Sequence, residues 1–363
     1  MTTAARMHGT GKAGIIPRPR RAHPLRPLFD AHTPTWKVFL IFLGPLMLAN
    51  ILQSLSGTLN SVFLGHMIGV SALAAATAFF PLMLLLISFI MGLGAGSSVL
   101  IGQAWGARET ERVRKVAGTT LTVGLIGGLV IGLVGALFAP QLLTALRTPA
   151  DILPEATAYA RVMLLAMPGL FAFLLLTSIL RGVGDTITPL YALIVSTVVG
   201  LIVTPALIAG WFGLPQLGVV SAAVGAMVSF IVTLAWLAWH LRRKGHTLAP
   251  TAELGRNMRI DGPILRQVLR IGIPTAMQMV IMSLAEIALL AIVNGFGSDA
   301  TAAYGIGNQV LGYVQFPAMS IAIAASILGA QAIGSCHVAR LGAITRAGIL
   351  INFAITGTLL LLC

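Results

Sequence analysis

Nine long apolar segments constrain the fold of this chain more than any other feature of its sequence. Each is long enough to cross the roughly 30 Å hydrocarbon core of a bilayer as a helix, which takes about 20 residues. Only 9% of the residues are charged, far below the quarter or so of a soluble protein, and the apolar runs lack the alternation of a barrel. We therefore predict an all-α polytopic membrane protein whose segments lie at 36–62, 71–101, 117–139, 156–180, 188–211, 217–241, 267–294, 300–330 and 343–363.

The positions of the lysines and arginines predict the orientation. Nearly all of them lie in the N-terminal tail, at the start of the first segment, or in the even-numbered loops and their flanks. The odd-numbered loops, with the ends of their flanking helices, hold only Arg147 and Arg161. Because cytoplasmic loops are enriched in these residues, we expect a multi-pass protein of the cell inner membrane with a cytoplasmic N-terminus. The net charge of +13 includes no basic patch interleaved with aromatic residues. The expected partners are therefore membrane lipids and a small-molecule substrate, with no nucleic acid, and we expect a monomer.

The sequence also repeats itself. A shift of 228 residues places Gly44 on Gly272 and LIGQAWGA (100–107) on LGAQAIGS (328–335). The first copy holds six helices, so the second copy begins in the same orientation, which is a parallel repeat. A complete second copy would need about 106 further residues, so we expect a truncated C-terminal lobe. The predicted regions are a disordered basic tail, an N-terminal six-helix lobe, a cytoplasmic linker and a C-terminal lobe of about three helices, at 1–35, 36–241, 242–265 and 266–363.

One acidic residue, Glu286, lies deep inside an apolar segment. An ionisable group at membrane depth is costly and is a functional-site candidate by default. Burial raises the pKa of a carboxyl group towards neutrality, so a proton could come and go near cellular pH. The residue has two interpretations. It is either a neutral, hydrogen-bonded acid that fixes helix packing, or a coupling group that takes up and releases a proton or cation during transport, and we favour the second.

Polar and sulfur-containing side chains on three segments predict a substrate cavity. Those of the first segment recur at helical spacing on one face, and a polar face in a membrane helix points to the bundle interior or a cavity. Two methionines lie on the face of Glu286, where soft side chains suit varied apolar cations. Interhelical hydrogen bonding and ordinary packing are the alternatives. The predicted cavity residues are Asn50, Gln53, Asn60, Gln278, Met279, Met282, Asn308 and Gln309.

No arrangement of residues indicates an enzyme. The sequence contains no HExxH motif, no paired carboxylates and no Ser–His–Asp candidate set in one lobe. The two cysteines, Cys336 and Cys363, have no metal-ligand spacing. We therefore expect a protein that is not an enzyme and that binds neither a metal nor an organic cofactor.

Four short motifs carry a resemblance to a known family. They are LRGVGDTITPL (180–190), GQAWGA (102–107), its repeat AQAIGS (330–335) and AAYGIGNQ (302–309). With them, the sequence from about residue 36 onward resembles the multidrug and toxic compound extrusion (MATE) transporters. The resemblance implies a bundle of two six-helix lobes, of which about nine of the expected twelve transmembrane helices are present in this chain.

The resemblance also implies a function. Members of this family export amphipathic, often cationic compounds in exchange for H+ or Na+. They commonly have an acidic residue on helix seven, where this chain has Glu286, and many have an aspartate on helix one, where this chain has Asn60. We therefore expect a secondary active antiporter that is coupled through its C-terminal lobe.

Two alternatives stay open. A flippase for a lipid-linked saccharide would need a basic cavity for pyrophosphate, whereas no lysine or arginine lies deep in the helices apart from Arg161, near the outer end of the fourth segment. A non-transporting fragment is the other alternative.

Overall fold

The computed structural model describes residues 35–146, 148–211, 216–250, 255, 257–295 and 298–362. The predicted basic tail, up to residue 34, lies outside them. Within these residues the chain forms α-helices and no β-strand. In chain order they are α1 (Thr35–Met67), α2 (Val70–Ala78), α3 (Phe80–Gly106), α4 (Thr110–Leu137), α5 (Ala139–Ala145), α6 (Leu153–Leu165), α7 (Met167–Gly182), α8 (Ile187–Ala209), α9 (Val220–Lys244), α10 (Gly262–Asn294), α11 (Ser298–Gly334) and α12 (Ala339–Leu362).

The described residues agree with the prediction of about nine membrane spans. Eight helices are long and apolar enough to cross a membrane, and the number is nine if α6 and α7, which meet at a bend of 48°, are counted as one span. Pro168 lies in the first turn of α7, at the bend. Proline has no N–H to donate and its ring clashes with the preceding turn, so a bend is expected there.

Local chemistry explains two of the helix boundaries that differ from the apolar runs. The predicted second segment is interrupted at Phe79, because Pro81 starts a new helix in the first turn of α3. Helix α10 begins at Gly262 rather than at 267. The Asp261 side chain caps it by accepting a hydrogen bond from the Ile264 N–H at 3.2 Å.

Helix α3 lies at the centre of the bundle. It packs against α4 and α7 among the N-terminal helices (α1–α9), and against α10 and α11 among the C-terminal helices (α10–α12). Helix α1 makes a second contact between the two groups, since its first half packs on α11 and α12 in a separate apolar cluster. The segment that joins the groups runs along α4, where the Thr119 hydroxyl donates to the Arg259 carbonyl at 3.1 Å.

Among the described residues, the contacts between the two groups of helices lie along one half of the bundle. We call this half the basic end, because the turn after α3, the segment before α10 and the first turn of α12 carry arginines there, including Arg108, Arg259 and Arg340. The contact between α1 and α11 occupies the same half, since it involves the first half of α1 and the last part of α11. Towards the opposite end, α3 and α10 separate around an apolar cavity of about 600 Å³ that α4 also lines.

Glycines bring the backbones of the two groups into direct contact. A Cβ on Gly92 would clash with the Gly272 carbonyl and lie 2.7 Å from the Ala276 Cβ, so α3 and α10 approach closely only without side chains there. Near the basic end, Gly106 lies against the backbone of Gln331 in the same way.

The 228-residue repeat is visible in the turns that follow α3 and α11. Glu109 N–H donates to the Ala104 carbonyl at 2.9 Å, and His337 N–H donates to the Ala332 carbonyl at 2.9 Å. The residue before each of these donors has a positive φ, 61° at Arg108 and 60° in the second turn. Equivalent positions in the two copies therefore adopt the same turn.

The close approach of α3 and α10 predicts an effect of one methyl group. We expect Gly92→Ala to destabilise the protein by about 1–3 kcal/mol, because the methyl meets backbone that cannot move aside cheaply. Gly127→Ala is the matched control, since nothing lies within 4 Å of a Cβ there, and it should change stability by less than about 0.5 kcal/mol. Thermal unfolding of the purified protein in detergent measures the stability of both variants. An equal loss of stability in the two would contradict the assignment of Gly92 to the contact between α3 and α10.

The predicted orientation can be tested with Cys336, which is exposed in the turn after α11. If the basic end is cytoplasmic, a membrane-impermeant maleimide should leave Cys336 unlabelled in intact spheroplasts and label it in inside-out vesicles. A Cys363→Ser background removes the other cysteine. Glu155→Cys, added to a cysteine-free background at the exposed first turn of α6, should label in the opposite pattern. Labelling of Cys336 in intact spheroplasts would reverse the orientation.

Candidate functional site

A polar cavity of about 210 Å³ lies within the N-terminal helices, between α1, α7, α8 and α9. Two predicted site residues, Gln53 and Asn60 of α1, line it together with Ser56, because spacings of three and four residues place all three on one helix face. Aromatic rings from α1, α7 and α9 form part of its wall, and none of the described lining residues is charged. This cavity can therefore bind through neutral hydrogen bonds and apolar contact.

Hydroxyl groups of α8 complete the cavity, and sequence reasoning missed them. Ser196, Thr197 and Thr204 line the wall opposite α1. The Thr197 hydroxyl is buried and has no hydrogen-bond partner among the described residues, so it is available to a ligand or a water molecule. The signal was present in the sequence, since these residues and Gly200 recur at spacings of three and four on one face of α8.

Asn50 has a different environment. Its Nδ2 donates to the Ser320 hydroxyl of α11 at 2.8 Å, and that hydroxyl in turn donates to the Phe316 carbonyl at 2.9 Å. Ser320 is fully buried. The structure thus places Asn50 in the contact between α1 and α11, in the interhelical hydrogen bond that the sequence left as an alternative.

Glu286 lies on the part of α10 that extends beyond the contact with α3. It is ten residues past Ala276, which is about 15 Å along a helix, and its side chain is exposed. In the part of the chain that the structure describes, no basic side chain forms an ion pair with it. The carboxylate therefore lies on the exposed surface of α10, beyond the contact with α3.

The remaining predicted residues of α10 lie near Glu286. Gln278 and Met282 are exposed, and Met279 is half-buried. None of the three lines the apolar cavity, whose α10 wall includes Ile273, Met277 and Ile281 instead. The side chains of Asn308 and Gln309, on α11, lie outside what the structure describes.

The predicted residues therefore do not line one common cavity. Gln53 and Asn60 line the cavity of the N-terminal helices, Asn50 joins the two groups, and Glu286 lies with its neighbours on the exposed face of α10. A ligand would have to lie between the groups to contact both α1 and α10.

These features define a class of protein, a polytopic helical membrane protein in which two groups of helices share a repeated sequence. The MatE family model matches residues 45–206 and 274–363, which together are more than half of the chain. The chain belongs to the MatE family.

Relatives and solved structures agree with this assignment. The "Probable multidrug resistance protein YoeA" of Bacillus subtilis (strain 168) is 43% identical over 327 residues, which are 90% of this chain and 71% of the relative. The "Multidrug export protein MepA" of Staphylococcus aureus (strain MRSA252) is 24% identical over 289 residues, which are 80% of this chain and 62% of the relative. The chain thus spans less than two thirds of the length of MepA.

A solved structure described as the "outward-facing conformation of a multidrug resistance MATE family transporter" matches with a TM-score of 0.79 at 25% identity, over 91% of this chain and 72% of that chain. Together the comparisons confirm the predicted all-α membrane fold, the resemblance to MATE transporters and the prediction that the chain is not an enzyme.

The bond between Asn50 and Ser320 predicts energetic coupling between α1 and α11. In a double-mutant cycle of Asn50→Ala and Ser320→Ala, we expect a coupling free energy of about 0.6 kcal/mol, the average for side-chain hydrogen bonds between membrane helices. Unfolding in a denaturing detergent measures it. Thr58→Ala is the control partner, because the Thr58 hydroxyl donates to the Ser54 carbonyl of its own helix. Equal coupling of Ser320 to Asn50 and to Thr58 would contradict the assignment.

Proposed function

We propose that the chain is a secondary active antiporter that exports amphipathic, cationic compounds across the inner membrane in exchange for H+ or Na+. Its relatives bear the names of multidrug resistance and export proteins, which supports this class of substrate. One structural observation carries the proposal. The two groups of helices are in contact at the basic end, while Glu286 is exposed beyond that contact.

Contact along one half of the bundle suits alternating access. If the basic end faces the cytoplasm, as the positive charge predicts, the described arrangement is closed to the cytoplasm and open to the outside. In the proposed cycle, residues 36–241 and 266–363 act as two lobes that rock about their contact and open the basic end in turn.

Glu286 provides the coupling in this proposal. A cationic substrate is held by the carboxylate, near the soft side chains of Met279 and Met282, with its neutral part against the polar face of α1. H+ or Na+ that arrives from outside neutralises the carboxylate, which weakens the hold on the substrate and releases it outward. Such an ion can drive the cycle only because it binds the two arrangements with different affinity. A singly charged cation that leaves in exchange for one H+ or Na+ moves no net charge, so the concentration gradient of the incoming ion drives this exchange.

Replacement of the coupling carboxylate should abolish export. We expect Glu286→Gln to reduce ethidium efflux from energised cells at least tenfold, because the amide neither carries charge nor takes up a proton at physiological pH. Efflux is followed by ethidium fluorescence at equal amounts of membrane-inserted protein. Imposed pH or Na+ gradients in proteoliposomes then identify the coupling ion.

Glu155→Gln is the matched control, since it makes the same chemical change at an exposed acid in the first turn of α6. It should export as the parent protein does. Parental efflux by the Glu286→Gln variant would show that Glu286 is not the coupling group.

A further inference from the structure

Gln331 connects α11 to the end of α7. It is 1% exposed, and its Nε2 donates to the Gly182 carbonyl at 3.0 Å, across 149 residues of sequence. Gly182 is the last residue of α7 and is itself buried. The hydrogen bond therefore joins the N-terminal and C-terminal helices at the basic end.

This carbonyl is one of the groups that a helix leaves unpaired at its C-terminus. Two neighbouring carbonyls are satisfied locally, because Gly184 N–H donates to Arg181 at 2.8 Å and Asp185 N–H donates to Leu180 at 2.9 Å. Among the described residues, the donor that satisfies the Gly182 carbonyl is the Gln331 amide. The end of α7 is thus capped by a side chain from the other group of helices.

Glycine contacts bring this amide within reach. Gly106 lies against the Gln331 backbone and Gly334 against the Gln103 backbone, so equivalent residues of the two repeats exchange contacts across the interface. A Cβ on Gly102 would lie 3.0 Å from that of Ala330. Because the backbones are this close, a glutamine on α11 reaches α7 directly.

Only half of the Gln331 amide is satisfied. Its Oε1 is buried and has no hydrogen-bond partner among the described residues. A buried acceptor without a partner costs free energy, and separation of the two groups would allow water to hydrate it. In the closed arrangement, the Gln331 amide therefore gains one hydrogen bond through Nε2 and loses the hydration of Oε1. The contact is stabilised but can still open.

The repeat supplies a comparison within the same chain. Gln103 occupies the equivalent position in the first copy, where it is half-buried, and its side chain makes no hydrogen bond to any described residue. The two glutamines have the same sequence context and a similar backbone. They differ in that, among the described residues, the Gln331 side chain donates a hydrogen bond across the interface and the Gln103 side chain does not.

We propose that Gln331 is a positioning residue for transport: its hydrogen bond to the Gly182 carbonyl holds the arrangement that is closed at the basic end and sets the equilibrium with the arrangement that is open there. This inference rests on the proposed antiport function. The bond must break and form again once in every transport cycle.

The test measures the separation of the two groups at the basic end. Spin labels are placed on Cys336 and on a Glu111→Cys variant, in a Cys363→Ser background, with the full chain in lipid nanodiscs. We expect Gln331→Glu at pH 8 to increase the population with the longer distance at least tenfold, because an ionised carboxylate cannot donate to the Gly182 carbonyl and is poorly tolerated when buried.

Protonation of the introduced carboxyl gives a readout that a general packing defect would not give. At pH 4.5 a neutral carboxylic acid can donate its O–H to the Gly182 carbonyl, so the distance distribution should return towards that of the parent. Gln103→Glu is the matched control and should follow the parent at both pH values. Gln331→Ala serves if the charged variant does not fold, and it should increase the longer-distance population about three- to tenfold.

Two results would overturn the inference: parental distances for both Gln331 variants, or an equal shift for Gln103→Glu. Its failure is distinguishable from failure of the proposed function, because the parent protein is also assayed for ethidium flux in proteoliposomes. Flux by the parent together with unchanged distances in the Gln331 variants rejects the role of Gln331 alone. Shifted distances without parental flux reject the antiport function and leave the hydrogen bond as a control of the conformation.

Discussion

The structure depends on direct backbone contact between α3 and the C-terminal helices. Within a bilayer no hydrophobic force drives helices together, since lipid tails are as apolar as leucine, so association depends on close packing and on hydrogen bonds. Gly92 and Gly272 allow that packing at the middle of the bundle, and Gly106 and Gly334 allow it at the basic end. A side chain at any of the four would push the helices apart.

Residue size changes along the face of α3 that meets α10. Towards the basic end, the face of α3 that meets α10 presents Gly92 and Gly96, whereas farther from that end it presents Leu85 and Phe89. The bulky side chains border the cavity of about 600 Å³, and the glycines allow the two backbones to touch. Where α3 can approach α10 closely therefore depends on residue size along α3.

Properties that depend on one segment could be predicted from the sequence, and properties that depend on two could not. The number of spans follows from the length of each apolar run, and the start of α10 could have been placed from Asp261, which caps it. Asn50 and Gln53 are three residues apart on one polar face of α1, yet one meets Ser320 and the other lines a cavity. Which neighbour each one meets is decided by the packing of α8 and α11 on α1, and no local pattern contains that information.

Charge is distributed unequally between the two groups of helices, and this limits any mechanism of coupling. The cavity of the N-terminal helices has amides and hydroxyls but no charged residue in its described lining, so protonation cannot change its charge there. The acid that lies far from a helix end is Glu286, on the C-terminal helices. In the proposed mechanism, a response to H+ or Na+ begins on α10 and reaches the N-terminal helices through the contacts that join the groups. Among the described residues, these contacts include the glycine packing of α3 and the hydrogen bonds of Asn50 and Gln331. The residues that would transmit the response are therefore separate from the proposed coupling residue.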